Sequence, residues 1–461
     1  MRAFPLVLLL LLAACTSNRT VGQPNLHVRD DTIVFGHRDK VDILFMVDNS
    51  PGLPQARVGL MQAFPELVKR IEALALNGAP ASYHIGVVDS DLGAGPFTLN
   101  QGQCHPDGDN GQLRTVPASG ASNVPPACSN LALGNGDSFI EYDSATGATN
   151  LGSFDVATAF SCISATGGAG CGFEHQLESV YRALTTPGLN AGFVRDDALL
   201  VIVWLTDEDD CSAPPDSPLF DPSSTGIAQY GPLHSFRCTQ FGITCDGHPL
   251  DGSALTSSNC APATGGPLFD VQRYADLFNR PRAAGGVKDS PADVLLVSII
   301  PPASPVVVQV TQPCADQVNT PSCPILGNVC GPDTSLSANP PVRIHALMSS
   351  TANSVEGSIC DTDYRPTLDA MADAMAARMR SGCLPGAVVE LADPGCRVTI
   401  DGADTPRCTS GRLPCWDLVD DSGCPARPTP AGGDPQRLRF ITEGAGPNAA
   451  VSAICPLYEP S

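Results

Sequence analysis

Two apolar stretches of the sequence are each followed directly by acidic and hydroxyl side chains. Residues 40–47 are mostly apolar and lead into Asp48 and Ser50, while residues 198–205 are apolar and lead into Asp207. Apolar runs of this length are typical of buried parallel strands. Because ligands bind beyond the carboxyl ends of such strands, we expect Asp48, Ser50 and Asp207 to share one site.

These side chains are the first candidates for chemistry in this sequence. Other interpretations stay open from the residues alone. Asp48 and Asn49 could cap a helix that begins near residue 54, and the acidic run 207–210 could be a solvated loop. Acids at strand ends also serve catalysis. However, the sequence holds no Gly-x-Ser-x-Gly and no His-Glu-x-x-His motif, so we predict that the protein is not an enzyme.

Strand and helix patterns alternate around these acids. Residues 55–77 have apolar side chains at helical spacing, interrupted by Pro65, and residues 83–89 predict a second strand. Further patterns predict helices over 173–184, 271–278 and 367–379 and strands over 293–300 and 342–347. This alternation predicts an α/β fold with a doubly wound, mostly parallel sheet.

Turn-rich stretches interrupt the pattern near residues 91–170, 211–268 and 301–340, which we interpret as loop insertions. Of 19 cysteines, setting aside Cys15 leaves 18, an even number that predicts disulfides formed in an oxidising compartment. Zinc sites are disfavoured because the sequence holds no Cys-x-x-Cys motif.

The disulfide pairing does not follow from the sequence, but Cys162 with Cys171 and Cys360 with Cys383 are reasonable local pairs. Residues 386–461 change in character: they are rich in cysteine, and short strand patterns alternate with turns. We predict a small disulfide-linked β-type module there, after a main domain over residues 39–385.

The N-terminus has Arg2, an apolar run up to Ala14, and then Cys15. This pattern predicts a signal peptide over residues 1–14 and resembles the bacterial lipobox, in which the cysteine is lipidated. The run is too short for an ordinary membrane-spanning helix. We therefore expect Cys15 to carry a lipid anchor and residues 15–38 to form a tether. An ordinary signal peptide with an incidental cysteine is the alternative.

The chain has 26 basic and 48 acidic residues and a net charge of −22. Such a charge disfavours nucleic acids and anionic membrane surfaces as partners. We therefore expect contact with a membrane only through the lipid anchor. A protein or a surface polymer is the expected partner.

Four phrases in order resemble the von Willebrand factor type A domain, as it occurs in bacterial surface lipoproteins. They are residues 41–50, 170–174, 206–212 and 358–361, and the likeness covers residues 39–385. The resemblance implies a doubly wound α/β fold with a metal-ion-dependent adhesion site on top of the sheet. It also implies a place in the cell envelope, and Thr16 after the cysteine implies the outer membrane.

In that family the metal is held by an Asp-x-Ser-x-Ser loop, a later threonine and an aspartate. The resemblance therefore implies Mg²⁺ as the cation, with Mn²⁺ or Ca²⁺ as alternatives, because such hard oxygen ligands suit it. Asp48 and Ser50 match the loop, Gly52 replaces its second serine, and Asp207 matches the aspartate. The resemblance therefore implies a degenerate site that binds weakly, binds calcium with extra waters, or stays empty.

The position of the family's threonine falls near residues 166–172, where Thr166 or Glu174 could substitute. The leading prediction is a non-enzymatic, lipid-anchored adhesion or binding protein of the cell envelope, facing the surface or the periplasm. The alternatives are a hydrolase of the envelope and a structural lipoprotein with a vestigial metal site.

Overall fold

The computed structural model describes most of the chain after residue 27. The described residues are 28–35, 40–50, 53–72, 82–99, 104–143, 146–168, 170–311, 323–331, 336–351, 353–379, 384, 386–420, 426–429, 434–444 and 451–458. The predicted signal peptide, Cys15, Gly52 and Cys383 lie outside them. The chain divides into two compact units, a large one over Gly36–Ser381 and a small one that joins residues 28–35 to the chain after residue 381.

The helices of the described residues are α1 (Pro54–Glu72), α2 (Val156–Ile163), α3 (Gln176–Thr185), α4 (Ser224–Tyr230), α5 (Phe236–Gly242), α6 (Gln272–Asn279), α7 (Val342–Ser349) and α8 (Arg365–Met379). No helix in this part of the chain has the length and apolar character needed to cross a membrane.

The strands are β1 (Val28–Phe35), β2 (Lys40–Val47), β3 (Ser82–Val88), β4 (Ile140–Asp143), β5 (Ala148–Thr149), β6 (Leu199–Leu205), β7 (Ile243–Cys245), β8 (His248–Pro249), β9 (Leu255–Ser257), β10 (Cys260–Pro262), β11 (Val294–Ile300), β12 (Val306–Thr311), β13 (Cys323–Leu326), β14 (Ser354–Ser358), β15 (Ala387–Val388), β16 (Arg397–Ile400), β17 (Ala403–Asp404), β18 (Cys415–Asp420), β19 (Leu438–Glu443) and β20 (Val451–Tyr458).

The large unit is built on a seven-stranded sheet in the order β14-β11-β6-β2-β3-β4-β5. Strands β14, β11, β6, β2 and β3 are parallel, and β4 and β5 add an antiparallel edge. Every residue of β6 is buried, as expected for a central strand covered on both faces. The predicted mixed α/β class with a large, mostly parallel sheet is confirmed.

Alternate residues of the central strand β2 enter two separate cores. Ile43 and Phe45 pack on one side with residues of α1, α2 and α8. Leu44 and Met46 pack on the other side with residues of α3, α6 and α7. Because side chains of a strand alternate between its faces, both faces of the sheet are covered by helices.

Part of the first predicted insertion belongs to the main core. Helix α2 lies within residues 91–170, and its Phe160 ring stacks on Phe64 of α1 at a centroid distance of 3.7 Å and contacts Phe45 at 4.8 Å. The interpretation of this whole stretch as a loop insertion is therefore wrong at α2. A short helix among glycines and serines gave too weak a periodic signal.

The predicted strand over residues 342–347 is wrong, because these residues begin helix α7. Apolar and polar residues alternate there, which resembles a half-buried strand. Arg343 is nevertheless only 1% exposed, because its guanidinium pairs with buried Asp210 at 3.1 Å. A buried charge therefore produced the misleading alternation, and the edge of the sheet is formed by β14 instead.

Both local disulfide predictions are wrong in the structure. Cys162 pairs with Cys128, Cys171 pairs with Cys104, and Cys360 pairs with Cys330. Cys162 and Cys171 are close in sequence but belong to different apolar clusters, so they cannot meet. Further disulfides are Cys211–Cys238, Cys245–Cys260, Cys396–Cys455 and Cys408–Cys415.

The small unit contains a sheet in the order β1-β20-β16-β17, with β15 also paired to β20, and a separate pair of strands, β18 and β19. Residues 28–35, predicted as part of a tether, form β1 and pair along their length with β20. The tether prediction is wrong for this segment. Charged residues at 29–31 hide the strand pattern in the sequence.

A buried ion pair joins the amino-terminal ends of the central strands. Asp42 of β2 has no exposed surface and accepts hydrogen bonds from the main-chain nitrogen and from Nε of Arg195, each at 2.7 Å. The guanidinium of Arg195 also donates to Ser82 Oγ at 2.7 Å. Burial raises the pKa of Asp42 to about 6, although the charge of Arg195 opposes this shift.

We predict that Asp42→Ala lowers the free energy of unfolding by about 3–5 kcal/mol, because it leaves a largely buried guanidinium without its carboxylate. Urea denaturation of the chain expressed without residues 1–15, called the mature chain below, measures this change. Glu66→Ala serves as the control, since Glu66 pairs with Lys69 on the surface and such pairs contribute about 0–1 kcal/mol. Equal losses for the two variants would contradict the prediction.

Candidate metal site

The site is positioned by the register of the parallel strands β2 and β6. Val47, the last residue of β2, lies opposite Leu205, the last residue of β6. The chain continues past both strands in the same direction, and the amide of Asp48 donates to the carbonyl of Leu205 at 3.0 Å. Asp48 and Thr206 therefore leave the sheet side by side, as the sequence pattern predicts for parallel strands.

Asp48 is fully buried and is the centre of a hydrogen-bond network. Its Oδ1 accepts from the amide of Ser50 at 3.0 Å and from Ser90 Oγ at 2.9 Å. Its Oδ2 accepts from Thr206 Oγ1 and, at 3.4 Å, from Gln176 Nε2. Burial raises the pKa of Asp48, and these hydrogen bonds act against that shift.

Ser50 connects the two acidic strand ends, because its Oγ donates to Asp207 Oδ1 at 2.7 Å. The structure thus brings Asp48, Ser50 and Asp207 together. Asp48 does not cap α1, since its carboxylate accepts from Ser50, which precedes the helix. The solvated-loop interpretation of residues 207–210 is also wrong, because Asp207, Asp209 and Asp210 are buried.

Thr166 and Glu174 are the two candidates for a further ligand, and Thr166 is already hydrogen-bonded to another group. Its Oγ1 donates to the main-chain carbonyl of Asp48 at 2.8 Å, so it supports the first loop. Glu174 is only 6% exposed, and burial together with the charges of Glu208, Asp48 and Asp207 raises its pKa well above the usual range. Glu174 is therefore the residue that adds a carboxylate to the site.

Asp48, Glu174, Asp207 and Glu208 form the acidic cluster of the sheet top. Burial, followed by the charges of neighbouring carboxylates, raises the pKa of Asp207 to about 7 and that of Glu208 to about 8. None of these four acids pairs with a lysine or arginine among the described residues. The cluster therefore needs protons or a cation to offset its charge.

The donor set fits a hard divalent cation. Carboxylate and hydroxyl oxygens are its preferred ligands. The side chain of Gln176, fully buried and hydrogen-bonded to Asp48, has an Oε1 that finds no partner among the described residues. An unsatisfied buried oxygen next to the Asp48 carboxylate is an acceptor that a cation could use.

The carboxylates surround the site without meeting at one point. Within the described part of the chain, three metal-type ligand atoms lie within 4.8 Å of one another in the group Cys408, Cys415 and Glu443. Those two cysteines form a disulfide, so their sulfurs are not available as thiolate ligands. Binding a cation at the sheet top would require the acidic side chains to draw closer.

The other acids of the loop after β6 have a structural role. Asp209 Oδ1 accepts from the amides of Arg343 and Ile344 at 3.0 and 3.3 Å, at the start of α7. Asp210 pairs with the Arg343 guanidinium and accepts from the amide of Leu177 in α3 at 2.9 Å. The four acids of this run therefore have two roles. Asp207 and Glu208 belong to the site, whereas Asp209 and Asp210 bind the starts of helices α7 and α3.

Sequence reasoning missed three members of the network: Ser90, Thr206 and Gln176. Ser90 could have been found, because it lies two residues beyond the end of β3, much as Ser50 lies three residues beyond the end of β2. Thr206 could have been found as the residue between an apolar strand and Asp207. No sequence signal distinguishes Gln176, because it is brought to Asp48 by the packing of α3.

A serine, a histidine and a glutamate are aligned elsewhere on the large unit. His345 Nδ1 lies 2.9 Å from Glu356 Oε2, and Ser349 Oγ lies 3.5 Å from His345 Nε2. Ser349 is the last residue of α7. The carboxyl end of a helix carries partial negative charge, which opposes the oxyanion of acyl transfer. This geometry does not favour the hydrolase alternative.

No family model and no curated protein matches the chain. Solved structures that match include the pilus adhesin SpaC from Lactobacillus rhamnosus GG (9% identity, TM-score 0.33, 95% of this chain and 41% of that chain). Others are a von Willebrand factor type A protein from Catenulispora acidiphila (12%, 0.24, 95% and 67%) and an adhesive tip pilin from Group B Streptococcus agalactiae (12%, 0.30, 94% and 82%). At these TM-scores the likenesses carry no argument about this chain.

The raised pKa values predict how stability depends on pH in the absence of metal. The folded state keeps protons on Asp207 and Glu208 that the unfolded chain has already released at neutral pH. The free energy of unfolding therefore falls as pH rises through the folded pKa values. We expect a fall of about 1.5 kcal/mol between pH 7 and 8.5 in EDTA, measured by urea denaturation.

Glu208→Gln should reduce this fall, because the amide has no proton to lose over that range. Exposed Asp216→Asn is the matched control and should keep the wild-type slope. A wild-type stability that rises over pH 7 to 8.5, or an unchanged slope in Glu208→Gln, would contradict the assignment.

Proposed function

We propose that this protein is a non-enzymatic, cell-surface binding or adhesion protein that engages a protein or surface polymer through a divalent cation on top of its sheet. The acidic cluster of the sheet top carries this proposal: Asp48 and Asp207 follow adjacent parallel strands, Glu174 and Glu208 lie within reach of their charges, and none of the four pairs with a lysine or arginine among the described residues. The resemblance of residues 39–385 to the von Willebrand factor type A domain supports it.

Asp48, Ser50 and Asp207 would hold the cation, with Glu174 in place of the family's threonine. Mg²⁺ or Mn²⁺ fits a small set of oxygen ligands, and Ca²⁺ fits if more waters take part. The bound cation would supply an open coordination position for an oxygen of the partner. The chain's own part is to fix Asp48 through Ser90, Thr206 and Gln176.

Charge favours a particular class of partner. Four ionised carboxylates exceed the charge of one divalent cation by two, so the loaded site stays negative. An acidic group from a partner would be repelled, whereas a hydroxyl or a basic surface would not. A hydroxyl-rich surface polymer or a basic protein surface is therefore the partner chemistry that this site favours.

The competing proposal is a structural lipoprotein with a vestigial metal site. One contact favours it: Ser50 and Asp207 hydrogen-bond each other, which satisfies two of the proposed ligands without a cation. Metal titration separates the two proposals.

We predict that the mature chain binds one Mg²⁺ or Mn²⁺, detected as heat in isothermal titration calorimetry at pH 8. Asp48→Ala and Asp207→Ala should each remove the heat, because each deletes a proposed ligand. Asp216→Ala, on the exposed part of the following loop, should leave it unchanged. A wild-type chain without heat of binding for Mg²⁺, Mn²⁺ or Ca²⁺ would favour the vestigial site.

The same variants test the binding function. Mature protein on beads should retain surface polymer or protein from cell-envelope extracts in Mg²⁺ and release it in EDTA, and Asp48→Ala should not retain it. Retention that is equal in EDTA and in Mg²⁺ would contradict metal dependence.

The lipid anchor is a separate proposal that rests on residues 1–15. We predict that cells expressing the full chain incorporate radioactive palmitate into it and that the label is lost in Cys15→Ser, because the thiol is the site of acylation. A Cys128→Ser variant should keep the label. Label that persists in Cys15→Ser would contradict the anchor.

A further inference from the structure

Strand β14 lies at the end of the seven-stranded sheet and pairs only with β11 among the described strands. The amide of Leu296 donates to the carbonyl of Asn353 at 3.0 Å, and the amide of Ile359 donates to the carbonyl of Ile300 at 3.1 Å. In a parallel ladder, alternate residues of a strand bond to the same neighbour. The odd-numbered residues of this segment therefore face β11.

The even-numbered residues face the open edge. The amides of Ser354, Glu356 and Ser358 and the carbonyls of Ser354 and Glu356 have no hydrogen-bond partner among the described residues. A row of free amides and carbonyls is a template for one more strand. The opposite edge of the sheet offers much less, because β5 contains only Ala148 and Thr149.

A groove of about 500 Å³ lies beside this edge. Its apolar lining comes from the segment after β11, from β14 and from α8. It includes Pro301, Pro302, Val355, Pro366 and Ala370. Its charged lining consists of Glu356 and Asp361, with His345 next to Glu356. No lysine or arginine is among the lining residues, so the groove is negative.

We propose that the free edge of β14 and this groove bind an extended peptide segment that carries a basic side chain. The main chain of the peptide would pair with Glu356 and its neighbours, and the basic side chain would lie against Glu356 and Asp361. Main-chain pairing supplies affinity, and the side-chain groove supplies selectivity. This site is separate from the acidic cluster of the sheet top and does not depend on the proposed metal.

The geometry tells where the side chains of the peptide would lie. Glu356 points toward α7, where it contacts His345. On the other face, α8 stands against the strand, since a Cβ at Gly357 would come 2.0 Å from Thr367 Oγ1. Side chains of an added strand alternate between faces, so the basic residue belongs on the α7 side and small apolar residues on the α8 side.

A second copy of the chain is a poorer occupant of the same edge. Antiparallel pairing of two β14 strands about their centre would place Glu356 opposite Glu356. Like charges directly opposite each other destabilise a strand pair. A basic peptide removes this repulsion and pairs with the carboxylate instead.

The test uses two fluorescein-labelled nine-residue peptides of alternating threonine and valine, one with a central lysine and one with a central glutamate. Fluorescence anisotropy is measured against the whole mature chain in EDTA. The lysine peptide should bind and the glutamate peptide should bind more weakly. In Glu356→Lys the order should reverse, with the lysine peptide weakened about three- to tenfold.

A second variant, Ala370→Trp, fills the groove from the exposed face of α8 and should abolish binding of the lysine peptide. Gln62→Trp, on the exposed face of α1, is its control and should bind as wild type. The proposal is overturned if neither peptide binds, if both bind equally, or if Glu356→Lys and Ala370→Trp both bind like wild type. It is also overturned if sedimentation shows a wild-type dimer that Ala370→Trp abolishes, since a second copy would then occupy the edge.

Discussion

The burial of the Asp48 carboxylate is the constraint on which the rest of the sheet top depends. A carboxylate removed from water is costly unless donors surround it. The structure supplies these donors from separate elements: the loop before α1, the end of β3, the end of β6 and helix α3. Each donor reaches Asp48 only if the strands keep their register and α3 keeps its position, so the network and the fold depend on each other.

The loop after β6 shows how the same residue type serves two purposes. Asp207 and Glu208 have no basic partner among the described residues and raise the negative potential of the site. Asp209 and Asp210 are neutralised by the start of α7 and by Arg343. This division lets one short acidic run anchor two helices and still leave charge for a ligand, because only the anchoring acids receive a counter-charge.

The sequence predicted what is local and missed what depends on distant contacts. Strands β2 and β6 and the acids that follow them were predictable, because a buried parallel strand is a continuous apolar run. Helix α7 was missed because Arg343 is buried by an ion pair that no local pattern reveals. The choice between Thr166 and Glu174 could not be made either, since it depends on a hydrogen bond from Thr166 to the carbonyl of Asp48. Strand β1 finds its partner β20 at the other end of the chain, beyond the reach of any local signal.

Mutual repulsion among the acids tends to push their loops apart, and two disulfides oppose that movement. Cys171 precedes Glu174 closely and is tied to Cys104, and Cys211 follows Asp210 directly and is tied to Cys238. The amide of Cys211 also donates to the carbonyl of Glu174 at 2.8 Å, which joins the two loops. Covalent links at the loop ends limit how far the loops can open, because they remove conformational freedom from the segments that would move. The two disulfides therefore limit how far the loops that carry Glu174 and Asp207 can separate, so the charge of these acids is relieved by protons or a cation and not by opening of the loops.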